Sequence, residues 1–186
     1  GIDPLGAIDS HGADAMRFTL ASMTTDTQDI RMPVASMTLP DGRTANTSPK
    51  FDIGRNFCNK LWNASRFAMM NLEGVDLAGF DAARMEVTDR WILSRLAATQ
   101  KEVSDSLGAF KFSEPLNQLY RFFWNDFCDW YLEWIKFRMR DPQSKQVVQN
   151  VLALVTHHAE VDDLDAPVGG QQALQQARPG PLLFDA

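Results

Sequence analysis

Between Ser48 and Leu72 the sequence sets Asn56, Lys60, Asn63 and Phe67 at i, i+4, i+7 and i+11, a spacing that gathers side chains on one face of an α-helix. Two amides, an ammonium and an aromatic ring in that order suit unpaired nucleic acid. A ring can stack a base, lysine meets phosphate, and asparagine pairs with a base edge. Charge points the same way: from Lys50 to Met70, the cations Lys50, Arg55, Lys60 and Arg66 face Asp52 alone, a local balance of +3 in a chain of net charge −6. The same pattern would also arise on a solvated face with Phe67 packed against a neighbouring helix.

Other groups with chemical potential lack partners. Asp129 and Glu133 stand at i, i+4, the spacing of an acid/base or metal pair, but no His joins them and nearby Arg and Lys can neutralise both. His11 falls at a turn, and His157-His158 open a polar stretch without a nucleophile at catalytic spacing. Cys58 and Cys128 have no second cysteine close by, which leaves neither a zinc signature nor a disulfide framework, so both are expected as reduced core thiols. No catalytic residue and no metal ligand is expected, and no glycine-rich phosphate loop occurs.

Helices must position these residues. Leu5 and Ile8 mark a short helix ending at Gly12, and Ala13, Met16, Leu20 and Met23 mark a second. Turn formers and β-branched residues fill 24–48, which suggests a loop, with a hairpin feasible around Asp41-Gly42. Ser48 and Pro49 can begin a long helix to about Leu72, burying Phe57, Leu61, Ala64, Ala68 and Leu72, with Cys58, Trp62 and Met69 on the shoulder of that stripe. Thr88 or Asp89 can cap a helix ended by Gly108. Ser113 can cap another to about Arg140, and Asp141-Pro142 begins a last one through Val155. The helix after Ser113 holds nine of the 19 aromatic residues, from Tyr120 to Phe137, and at α-helical spacing no single stripe accommodates them. That predicts a helix surrounded on most sides. The fold class expected is all-α, an antiparallel helical bundle preceded by a short helical segment.

Composition bounds the partners. With 45% hydrophobic and 23% charged residues the chain is an ordinary globular one, and no run of about 18 apolar residues suggests a membrane span. A cytoplasmic setting is expected. Net acidity argues at first against a basic nucleic-acid-binding domain, and no DNA partner is expected, yet residues 157–186 carry one positive and five negative side chains and hold much of that acidity. This glycine-, proline- and glutamine-bearing tail is expected to be disordered.

Longer motifs carry a resemblance. Ile2-Asp3-Pro4-Leu5, the run Gly12-Ala13-Asp14-Ala15-Met16-Arg17-Phe18 and Gln28-Asp29-Ile30-Arg31 resemble class I aminoacyl-tRNA synthetases just after the KMSKS loop. The segment from Arg55-Asn56-Phe57-Cys58-Asn59-Lys60-Leu61-Trp62 to Phe67 is similar to the first helix of the anticodon-binding domain in the valyl-tRNA synthetases. Asp89-Arg90-Trp91-Ile92 and Trp124-Asn125-Asp126-Phe127-Cys128-Asp129-Trp130 are similar to their later helices, in the right order, over roughly residues 1–155. The resemblance implies a stem-contact segment at 1–33, a loop at 34–47, the anticodon-binding bundle at 48–156 and an unrelated tail at 157–186. It also implies a fragment of a longer enzyme in which ATP, with Mg²⁺, activates valine for transfer to tRNA(Val). The HIGH and KMSKS loops and the editing domain fall outside this sequence, so the chain alone is expected to be inactive and to hold no cofactor. Positions matching Lys60, Arg66 and Phe67 contact the anticodon in that family, with Asn63 close by, and Arg55 is a further candidate. The alternatives are the equivalent region of an isoleucyl- or leucyl-tRNA synthetase, or a helical bundle that docks proteins.

Overall fold

Asp3 and Pro4 open the first helix as their side chains dictate. The Asp3 carboxylate accepts the Leu5 N–H, and Pro4 occupies the first turn, where no amide donor is needed, so α1 runs Pro4–His11. Gly12, at φ +93°, ends it, and α2 follows over Ala13–Ser22. The computed structural model describes residues 1–25, 29–75 and 80–160. They fall into two compact units, Gly1–Asn63 with Glu102–Arg121, and Ala64–Lys101 with Phe122 onward. The stem-contact segment expected at 1–33 thus shares a unit with residues 34–63, and the divisions fall inside long helices.

In the first unit, residues 34–47 are a hairpin where a loop was expected. Strands β1 (Ala35–Thr38) and β2 (Thr44–Thr47) pair antiparallel, with Ala35 opposite Thr47 and Thr38 opposite Thr44. Gly42 takes φ +83° in the turn, and the Asp41 carboxylate accepts the Arg43 N–H at 3.0 Å. That N–H, and then the Arg43 guanidinium, hold the Asp41 carboxyl below its usual range. The hairpin rests on α1: Asp3 N–H donates to the Asn46 carbonyl at 2.9 Å, and a Cβ on Gly6 would collide with Ala45. Ser48, fully buried, accepts the Lys50 N–H and leads into α3, Phe51–Asn71. Phe18 of α2 stacks on Phe57 of α3 at 4.6 Å, and Tyr120 of α5 (Ser113–Arg121) lies 5.2 Å from Phe57.

In the second unit, α4 (Val87–Gly108) starts just before the expected cap. Asp89 stands third in the helix and returns its carboxylate to the Glu86 N–H at 2.9 Å, half of a capping box. Asp89 is fully buried, and its oxygens also accept the Tyr131 hydroxyl at 3.0 Å and two guanidinium N–H groups of Arg138 at 2.7 and 2.8 Å. Arg95 meets Asp126 at 2.8 Å. Residues 95 and 126 pair while 89 pairs with 131 and 138, so the two helices run antiparallel. The last helix, α7 (Pro142–Glu160), opens with Asp141 accepting the Gln143 N–H at 3.1 Å, and buries Val147, Val148, Val151, Leu152 and Val155. It continues four residues past the bundle boundary expected at 156, and the rest of the tail lies outside the described residues.

The aromatic helix differs from expectation in geometry. After α5 the helix continues unbroken but widens to π-type turns over Phe122–Tyr131 before narrowing to α6, Leu132–Arg138. At about 100° per residue the buried Phe122, Phe123, Phe127, Cys128 and Tyr131 would spread over about 240°, whereas π turns of about 80° per residue draw them into about 130°. The wider turn creates the single stripe that α spacing denies. It also leaves Trp130 and Phe137, 54% and 76% exposed, on the outside, so the helix is not surrounded on most sides. Trp134 lies between Trp91 and Trp130, at 5.5 and 5.4 Å.

Two outcomes are expected of the buried network. Asp89→Ala leaves the half-buried Arg138 guanidinium with only the more exposed Glu86 carboxylate, at 3.1 Å, and strands the Tyr131 hydroxyl, and is expected to cost about 3 kcal/mol in urea unfolding. A loss under 1 kcal/mol would show that the network holds nothing together. Burial, and then the Asp89 charge, push the Tyr131 phenol well above its ordinary value of 10.0. The unfolded chain releases that proton first, so stability falls as pH rises past about 10. Tyr131→Phe is expected to flatten this alkaline decline, and an unchanged slope would exclude Tyr131 as its source.

Candidate nucleic-acid interface

Small residues decide which way α3 faces. Gly54, Ala64 and Ala68 are buried, and a Cβ on Gly54 would collide with the Ala15 carbonyl of α2. Phe57 joins the ring cluster of Phe18 and Tyr120 from the same side. At its C-terminal end the Asn71 amide donates to the Phe67 carbonyl at 2.7 Å, and Gln149 of α7 donates to the Asn71 carbonyl at 2.6 Å, meeting one of the acceptors a helix end leaves open.

The flank centred about 110° round the helix from the line of Gly54, Ala64 and Ala68 carries the candidate residues. Asn56 and Asn63 are exposed, Lys60 and Phe67 are half-buried, and helical spacing sets all four within about 60° of one another. Arg66 is exposed with no carboxylate partner among the described residues, but it stands about 100° round the helix from Phe67. Arg55 is less available. Its guanidinium pairs with Asp52 at 2.6 Å, and Asp52 lies 3.5 Å from Nε2 of the buried His11. Nδ1 of His11 is 2.7 Å from the Ser10 hydroxyl, so this histidine is built into the packing of α1 against α3.

Helical spacing misjudged three positions. Leu61 and Trp62, assigned to the buried stripe or its shoulder, are exposed, as is Met69. The line of Gly54, Ala64 and Ala68 was the better signal, because helices approach closest where side chains are smallest. Cys58 is half-buried and burial pushes its thiol up, while Cys128 is buried.

The face can bind anions and flat rings, but it offers no nucleophile, and among the described residues no three His, Cys, Asp or Glu side chains could hold a metal ion. Glu133 is engaged by Lys136 at 2.6 Å. No described helix is long and apolar enough to cross a membrane.

Comparison with known proteins adds a relationship. Residues 89–159 match the family described as the anticodon-binding domain of tRNA ligase. Valine–tRNA ligase of Rhodopirellula baltica is 37% identical over 82% of this chain and 18% of its own length. That of Fervidobacterium nodosum is 41% identical over 83% of the chain and 16% of its own length. That of Geobacter sulfurreducens is 42% identical over the whole chain and 20% of its own length. The chain therefore spans a fifth or less of these relatives. Similar to them along most of its own length, and matching the anticodon-binding domain over residues 89–159, the chain belongs to the valine–tRNA ligase family as the counterpart of the part that carries that domain.

Proposed function

We propose that this chain is the tRNA-gripping region of a valine–tRNA ligase and reads the anticodon of tRNA(Val) with the outward face of α3. The observation that carries this reading is the basic, amide-bearing flank that α3 presents beside its buried line of Gly54, Ala64 and Ala68. Phe67 offers its ring for stacking to an unstacked base, Asn56 and Asn63 supply donors and acceptors for base edges, and Lys60 and Arg66 meet phosphate. Arg55 contributes less, because Asp52 already satisfies part of its charge.

The remainder of the ligase, preceding and following this region, would carry out catalysis with ATP and Mg²⁺ in the cytoplasm. ATP with Mg²⁺ supplies the adenylate chemistry by which valine is activated. This chain's residues hold and orient the tRNA, and they make no bond. A protein-docking role finds support in the exposed Trp130 and Phe137, on α4's partner helix and away from α3 in sequence. The acidic Asp126, Asp129 and Glu133 around them disfavour nucleic acid there.

Binding of a tRNA(Val) transcript at several salt concentrations tests the reading. Phe67→Ala is expected to weaken binding by about 1–3 kcal/mol through lost stacking. Lys60→Ala is expected to weaken it and to flatten its salt dependence. Unchanged affinity in both variants would sink the assignment of this face. The two arginines separate as well. Arg66→Ala should lower the slope of log K against log salt by close to one phosphate contact, and Arg55→Ala by clearly less, since Asp52 shields it. Equal slopes would mean that the Asp52 pair opens when RNA binds.

A further inference from the structure

Trp62 is 64% exposed on α3, and it has neither a ring nor a hydrogen-bond partner among the described residues. The other indoles differ: Trp91, Trp130 and Trp134 contact one another, and Trp124 has a partner of its own. A single exposed apolar side chain needs no explanation, but the neighbours of this one are informative. Asn59 at i−3 and Arg66 at i+4 are exposed and share its side of the helix, with Arg55 two turns before it. Between Lys50 and Met70 the only carboxylate is Asp52, which Arg55 holds. A flat apolar surface among cations and amides, with no free carboxylate on the segment, fits a nucleobase beside its phosphate better than an apolar protein face.

Helical geometry gives the relation to Phe67. The two rings stand five residues apart, about 7.5 Å along the axis and about 140° round it. Asn59, Arg66, Asn63 and Asn56 fall in the arc between them. We propose that Trp62 is a second stacking platform, so that an unpaired RNA segment crosses α3 with one base on Trp62, another on Phe67, and the asparagine and arginine side chains between. This rests on the reading of α3 as an RNA-binding face and adds a residue and a footprint to it. Two platforms bind two splayed bases and favour a loop whose bases are already unstacked over a duplex.

The test is equilibrium binding of the 186-residue chain to a tRNA(Val) transcript, and to the same transcript with its anticodon loop closed into a duplex. Trp62→Ala is expected to weaken binding of the open transcript about tenfold while leaving the salt slope unchanged, since no phosphate contact is lost. Trp62→Phe is expected to retain affinity within about threefold, and the duplex form should bind weakly and equally to all variants. A melting temperature matching the parent chain confirms that the exposed position was altered without unfolding. If Phe67→Ala weakens binding and Trp62→Ala does not, the second platform is overturned and the RNA reading stands. If the parent chain prefers neither form and no variant matters, the RNA reading itself fails. If Trp62→Ala leaves RNA binding intact but turns a dimer into a monomer in sedimentation, the surface belongs to a second copy and the proposal is overturned.

Discussion

A carboxylate shut away from water must be surrounded by donors, and Asp89 is surrounded by donors from three places in the chain. The Glu86 amide, the Tyr131 hydroxyl and the Arg138 guanidinium converge on its two oxygens. One side chain thereby fixes where α4 begins, how the widened aromatic segment is rotated, and where α6 ends. An ion pair of this kind adds little net stability compared with apolar packing, but it penalises every misregistered arrangement, because each would strand a charge in the interior. The apolar contacts around it, from Ile92, Leu93, Phe127, Ile135 and the valines of α7, supply the bulk of the driving force without specifying register.

Much of this was legible in the sequence, for identifiable reasons. Punctuation read well: Gly12, Ser48-Pro49 and Asp141-Pro142 stand at or beside the starts and stops of helices, since capping and fixed φ act locally. The hairpin at 34–47 was half-visible, because Asp41-Gly42 announced the turn while four-residue strands of mostly small and polar residues, in which Ala45 and Thr47 are the buried positions of β2, gave little hydrophobic alternation. The π segment was not legible. Its aromatics look unplaceable only if about 100° per residue is assumed, and the energy that favours a wider turn comes from tertiary burial of Phe122, Phe123, Phe127 and Tyr131, which local propensity does not encode.

The spacing of the candidate residues was legible, but the surface around them was not. Asn56, Lys60, Asn63 and Phe67 share an arc by arithmetic alone. What arithmetic could not supply was the contact line. The expected stripe held Ala64 and Ala68, which are buried, but it also took in Leu61, with Trp62 and Met69 on its shoulder, all three of which are exposed. The pairing of Arg55 with Asp52 was also hidden, although i, i+3 spacing permits it, because spacing alone does not say which of several neighbours a long side chain will choose. Global charge was equally uninformative about this helix: the acidity of the chain is an average over a basic segment and acidic surroundings.

The empty place at Gly54 has a genetic consequence. The nearest obstacle to a side chain there is the main-chain carbonyl of Ala15, which every amino acid possesses, and only secondarily the Thr19 hydroxyl. No replacement at position 15 can therefore relieve a substitution at 54, and trimming Thr19 relieves only the lesser collision. A lesion at Gly54 would tilt Asn56 and Lys60 without touching any ligand, and in a suppressor screen it would behave as a position without a reciprocal partner.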